Sequence, residues 1–222
     1  MPFPKILNSN EIKEFDNPPI FNSFERKAIF YVPTWVNEFL NDLTNDTNKL
    51  VFILTAGYFK SFRKFFVPNK FLLKDIEYVI DKFNLNPDIK KLNSFSRVNF
   101  LRYKEVILKG NNISIFDDKA KESLFNEAKL IVSKKFKMKA IFQGLLEFLY
   151  LKKIEIPSYN AIAQIITDVL NEYEISIQEK LSKLLDLNKK KLLDDLMKKI
   201  EDDNDKKTKL GKYKITNLKK FS

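Results

Sequence analysis

Thirteen side chains between positions 60 and 137 have the types and spacing to act together: Lys60, Arg63, Lys64 and Lys70; Lys90, Lys91, Arg97, Arg102, Lys104 and Lys109; and Lys134, Lys135 and Lys137. The chemistry open to them is the holding of a polyanion. Lysine ammonium groups neutralise phosphates as point charges, while the planar guanidinium matches a phosphate or a guanine edge with two parallel hydrogen bonds. The chain has 222 residues and a formal charge of +11, from 40 basic and 29 acidic side chains. That surplus is not evenly spread. Residues 1–50 carry a net −2 and residues 51–150 a net +9, and three of the four arginines fall between positions 63 and 102. Codon bias toward Lys, Asn, Ile and Phe would spread lysine along the chain, so the clustering reads as the electrostatic footprint of a polyanion-binding face.

Each group also has a structural alternative. Lys60 to Lys64 follow a buried helical pattern, where cations satisfy the orphan carbonyls of a helix end. Glu105 is available as an ion-pair partner on the helix that carries Arg97 to Lys109. Phe59, Phe62, Phe65, Phe66 and Phe71 flank the first group and have faces on which bases could stack. With 21 phenylalanines in the chain, core packing is the expectation for them.

Catalytic chemistry finds less to work with. The chain has no cysteine and no histidine, which excludes thiol nucleophiles, Ser-His-Asp and Cys-His machinery, and finger or ribbon zinc sites. Its four glycines are isolated from one another and form no phosphate loop. Asp117-Asp118, Asp194-Asp195 and the acidic run at 201–205 are the candidates for a two-metal site. Neighbouring helical carboxylates point about 100° apart and do not converge on one ion, so they read as helix starts and solvated faces. No cofactor, no metal and no enzymatic activity are expected. The longest apolar run, Leu50 to Phe59, is well short of the roughly 20 residues that span a bilayer. With no cysteine framework and no visible signal peptide, the expected setting is cytoplasmic, and with a DNA partner nucleoid-associated.

The elements that must position these cations are helical. Apolar residues recur at helical spacing over 34–43, 50–62, 72–84, 95–109, 118–132, 138–151 and from Pro157 onward. In 95–109 the spacing places Val98, Leu101 and Leu108 inward, behind caps at Ser94 or Ser96. Ile177, Leu181, Leu184 and Leu185 make a further stripe, and Leu193, Leu196 and Ile200 another. Ile113 to Phe116 is the one strand-like stretch and is too short to build a sheet. The expected fold class is therefore all-α, about ten helices in two helix-turn-helix-like lobes. The interruption at Asn84 to Asn93 suggests a division into 1–88 and 89–200, with 201–222 a charged linker or tail.

The order of these elements resembles a known family. ERKAIF around Arg26 to Phe30, NKLVFILTAGYFKSFRKFF up to Phe66, RYKEVILKGNNISIF from Arg102 to Phe116, and LLEFLYLKKIEIPSYNAI from Leu145 to Ile162 follow one another. They resemble the N-terminal region of the replicative, cointegrate-forming transposases of the Tn-three family. The resemblance covers about residues 5 to 200. It departs at Asn99-Phe100, where a basic residue or histidine is usual, and at Lys109-Gly110, where Leu-Gly is usual. It implies helical DNA-binding subdomains that grip terminal inverted repeats on double-stranded DNA. It also implies a strand-transfer domain with an acidic triad lying downstream, so the partner would be a catalytic domain or a full-length transposase. Neutralising roughly six phosphates would give a slope of log K on log salt near −5. Two other readings predict different surfaces: a helical protein-interaction module predicts scattered lysines and an apolar groove, and a metal-dependent nucleic-acid enzyme predicts converging carboxylates.

Overall fold

The structure, a computed structural model, describes residues 6–134, 137–184, 191 and 195. Lys135, Leu185, Leu193, Asp194, Leu196, Ile200 and the 201–222 segment lie outside the described residues. Nine α-helices and two 3₁₀ helices are found among the described residues: α1 (Ser9–Asp16), α2 (Ser23–Ile29), α3 (Thr34–Asn41), α4 (Asp46–Phe62), a 3₁₀ helix (Pro68–Lys70), α5 (Leu73–Phe83), a second 3₁₀ helix (Ile89–Ser94), α6 (Arg97–Asn111), α7 (Asp118–Val132), α8 (Met138–Leu151) and α9 (Tyr159–Leu184). The protein is all-α. The strand-like stretch near Ile113 makes one isolated parallel bridge, Ser114 to Ile154, held by Ser114 N donating to Lys153 O and Glu155 N to Ser114 O.

Two compact units divide the chain, Met1–Leu170 and Asn171–Ser222. In the first, α4 is the central element. Leu50 to Leu54, Tyr58 and Phe59 are buried along it, so it meets neighbours on most sides, as its nearly unbroken apolar sequence requires. Helices α2, α3, α5 and α6 and the second 3₁₀ helix pack on it. Leu92, Tyr103, Ile107 and Leu108 join that same core, so the 84–93 interruption lies within the hydrophobic cluster built on α4. A further buried set lines α7, α8 and the start of α9, from Leu124 and Ile141 to Ile162 and Ile166. In the second unit the described part is chiefly the remainder of α9, with Ile175, Ile177 and Leu181 exposed.

Helices α1 and α2 bury no side chain and have only eight and seven residues, so neither shows an apolar stripe. Both begin with a capping box. Asn8 with Glu11, and Asn22 with Glu25, exchange side-chain and backbone hydrogen bonds at the first turn. The Asn-x-x-Glu spacing is the sequence signal for both.

Arg26, on α2, is bound into the core. Its Nε donates to Asp75 Oδ1 at 2.6 Å and its Nη2 to Phe21 O at 2.8 Å. Tyr58 Oη donates to the other carboxylate oxygen of Asp75 at 2.7 Å, and burial beside that carboxylate pushes the Tyr58 hydroxyl pKa well above its ordinary value. Close approach fixes Gly57 on the same helix. A Cβ there would lie 2.4 Å from Phe30 Cδ1, a ring already packed edge-on against Phe21 and Tyr58. Gly57→Ala is expected to lose about 1–2 kcal/mol despite the gain in helix propensity, because the ring has nowhere to move. Urea unfolding followed by circular dichroism measures it, and an unchanged midpoint would contradict the packing described.

Candidate nucleic-acid interface

The first basic group sits where α4 ends. Arg63 closes the helix in the left-handed region (φ 50°), its N–H donating to Phe59 O at 2.7 Å. Its guanidinium stacks 3.7 Å over the Tyr150 ring and donates to Tyr150 O at 2.7 Å, which ties the end of α4 to α8. Lys60 Nζ donates to Ala28 O at 3.0 Å near the end of α2. Lys64 is buried. It forms an ion pair with Asp16, donates to Phe15 O at 2.8 Å and lies 3.6 Å over the Phe15 ring. Removal from water lowers its pKa from the ordinary lysine value, which the Asp16 contact opposes. Lys70 Nζ donates to Asp16 O at 3.1 Å. These four cations carry tertiary contacts, the capping and tethering alternative for this segment. Of the neighbouring phenylalanines, Phe59, Phe66 and Phe71 are buried, Phe65 stacks on Phe59 with ring centroids 4.4 Å apart, and Phe62 is exposed.

The second group divides. Lys104 forms an ion pair with Glu155 at 3.5 Å and lies over the Phe65 ring, and Lys91 pairs with Asp88 at 3.8 Å across one turn. Lys90, Arg97 and Lys109 are exposed and take no acidic partner among the described residues. Arg102 is also exposed, with its guanidinium 5.3 Å from the Phe39 ring. Glu105, the acid that shares the helix, pairs with none of them.

α6 is rotated relative to the sequence expectation. Val98 is 76% exposed and Leu101 47% exposed, whereas Tyr103, Ile107 and Leu108 are buried. The reason is aromatic. Tyr103 enters a box formed by Phe39, Phe52 and Phe95, with ring centroids 5.3–5.9 Å away, and that larger payload sets which side faces the core. Burial also pushes the Tyr103 hydroxyl up to about 12. Val98, Leu101, Arg102, Glu105 and Lys109 then share the outward face, at i, i+3, i+4, i+7 and i+11.

The third group flanks the connection from α7 to α8. Lys134 and Lys137 are exposed there; Lys139, on the first turn of α8, pairs instead with Glu11 of α1. Lys64, Lys70 and Lys104 do meet, around a cleft of about 300 Å³ also lined by Asp16, Glu155 and Ser158. There two carboxylates stand among three ammonium groups, and Tyr159 N at the start of α9 donates to Asp16 as well. That cleft is close to neutral. The cations without acidic partners in the second group are on α6 and the 3₁₀ helix before it.

Asp117 accepts from Ala120 N at 2.9 Å and caps α7, the role expected for an acid at a helix start. Among the described residues no group of three or more acidic, histidine or cysteine side chains is placed to hold a metal ion, and no helix is long and apolar enough to cross a membrane.

Residues 6–169 match a protein family described as a domain of unknown function (DUF4158). No curated protein and no solved structure matches the chain. The match takes in the whole α4-centred core, α6 with its outward cations, and α7 to the buried part of α9, so the chain belongs to the DUF4158 family.

Proposed function

We propose that this chain is a non-catalytic, double-stranded-DNA-binding module that recognises terminal inverted repeats as the N-terminal part of a transposase. The observation that supports the binding is the outward face of α6. Among the described residues Arg97, Arg102 and Lys109, with Lys90 just before them, stand exposed with no acid paired to them, whereas Lys64, Lys91 and Lys104 are all occupied by carboxylates. The link to transposition is supported by the order of the sequence elements that resemble the Tn-three family. α6 presents Arg102 and Lys109 on its outward face and Arg97 at its first residue, and a helix so placed along the major groove would set these charges on phosphates.

Fluorescence anisotropy on a labelled duplex across a salt series tests the reading. Four cations on phosphates give a slope of log K on log salt near −3.6, so affinity falls roughly 150-fold between about 50 and 200 mM salt. This is shallower than six phosphates would give, because the carboxylate-bound lysines do not contribute. Binding that ignores salt, or no binding at the low-salt end, would overturn the proposal. The exposure of Ile20 just before α2 and of Phe24 on it favours the second reading, a helical protein-interaction module, which predicts salt-indifferent association with a protein surface.

A further inference from the structure

Val98 and Leu101 are apolar side chains left exposed outside the core. They stand one turn apart on the outward face of α6, which they share with Arg102, Glu105 and Lys109, and Arg97 flanks them at the first residue of the helix. A single exposed apolar side chain is ordinary. Two on one helical face, set among three basic side chains and one acid that pairs with none of them among the described residues, suit a partner that is anionic and offers apolar points at short intervals. An anionic membrane surface needs a broad apolar helical face, and the broad apolar face of α6 is already spent on the core through Tyr103, Ile107 and Leu108. A duplex needs less. In the major groove the C5-methyl of thymine is the apolar group that a base pair presents, and small aliphatic side chains read it by contact.

We infer that Val98 and Leu101 contact thymine methyl groups in the major groove, so that the duplex held by α6 carries thymines at the two positions facing them. The inference rests on the duplex-binding reading above and adds its sequence preference. Side chains three residues apart on a helix are separated by about 5–6 Å. Base pairs rise 3.4 Å, so the two thymines belong to neighbouring or next-neighbouring base pairs. Arg97 and Arg102 then stand where a guanine edge or a phosphate beside those thymines would be met.

The test uses the full chain and duplexes enriched on it from a random pool, resynthesised with deoxyuridine in place of thymidine at one position at a time. Deoxyuridine pairs as thymidine does and lacks only the methyl. At two positions the exchange is expected to weaken wild-type binding about fourfold, the worth of one buried methyl group. Val98→Ala is expected to become indifferent to the exchange at one of them, and Leu101→Ala at the other. Both side chains are exposed, so the variants keep the fold, checked by circular dichroism. Steeply salt-dependent binding with no deoxyuridine effect at any position, or with the same effect in Val98→Ala plus Leu101→Ala, would overturn the thymine inference and leave duplex binding standing. Failure to enrich any duplex would overturn both. Capture of the chain by phosphatidylserine vesicles, lost in the double variant while duplex binding is unchanged, would assign the two side chains to a lipid surface and overturn the inference.

Discussion

Asp75→Ala is expected to cost about 3–5 kcal/mol of folding stability. The carboxylate is fully buried and bound on both oxygens, by Arg26 Nε and by Tyr58 Oη. Removing it leaves a guanidinium that is nearly buried, and its Nη2 bond to Phe21 O does not compensate a full charge. It also leaves the buried Tyr58 hydroxyl, toward the C-terminal end of α4, with the Leu72 N–H as its only partner among the described residues, at 3.3 Å. The destabilisation therefore has two sources, an uncompensated buried cation and a stranded donor. Asp75→Asn keeps one acceptor oxygen and is expected to lose less. Guanidinium-chloride unfolding of the three proteins measures both. A loss below about 1 kcal/mol in the alanine variant would mean that the pair is more hydrated than its burial indicates.

On the duplex-binding reading, Arg97→Ala with Arg102→Ala is expected to weaken binding of an enriched duplex by about 30-fold or more. Each guanidinium contact to a phosphate is a charge-assisted hydrogen bond worth about 1.5–3 kcal/mol, and the two together at least about 2 kcal/mol. Unlike Arg26 and Arg63, these two are exposed and among the described residues hold no carboxylate or carbonyl, and Arg102 touches only the Phe39 ring, so the variant is expected to unfold within about 0.5 kcal/mol of the wild type. That separation makes the result interpretable. A folded double variant with wild-type affinity would remove α6 from the interface.

Most of the helical framework was legible in the sequence, and the reasons are local. From α3 to α8 the apolar stripes are long enough to have a clear period, and Ser96 and Asp117 mark the starts of α6 and α7 as their side chains do in the structure. The face of α6 was not legible. Counting apolar residues put Val98 and Leu101 inward, whereas the pocket of Phe39, Phe52 and Phe95 that takes Tyr103 is assembled from three separate elements. The candidate site shows the same limit. A basic cluster can be counted from sequence, but its partners arrive from elsewhere in the chain: Asp16 reaches Lys64 and Glu155 reaches Lys104 across about fifty residues each. Those carboxylates separate cations that hold the fold together from cations that remain available.

The slope of log K on log salt for a labelled duplex, measured for the wild type and for Arg97→Ala with Arg102→Ala, tests the proposed interface most directly. Four phosphate contacts along α6 and the preceding turn, two of them lost in the variant, predict a slope near −3.6 that falls to about −1.8. Equal slopes in the two proteins would show that the ions released on binding come from another surface, and would contradict the placement of DNA on α6.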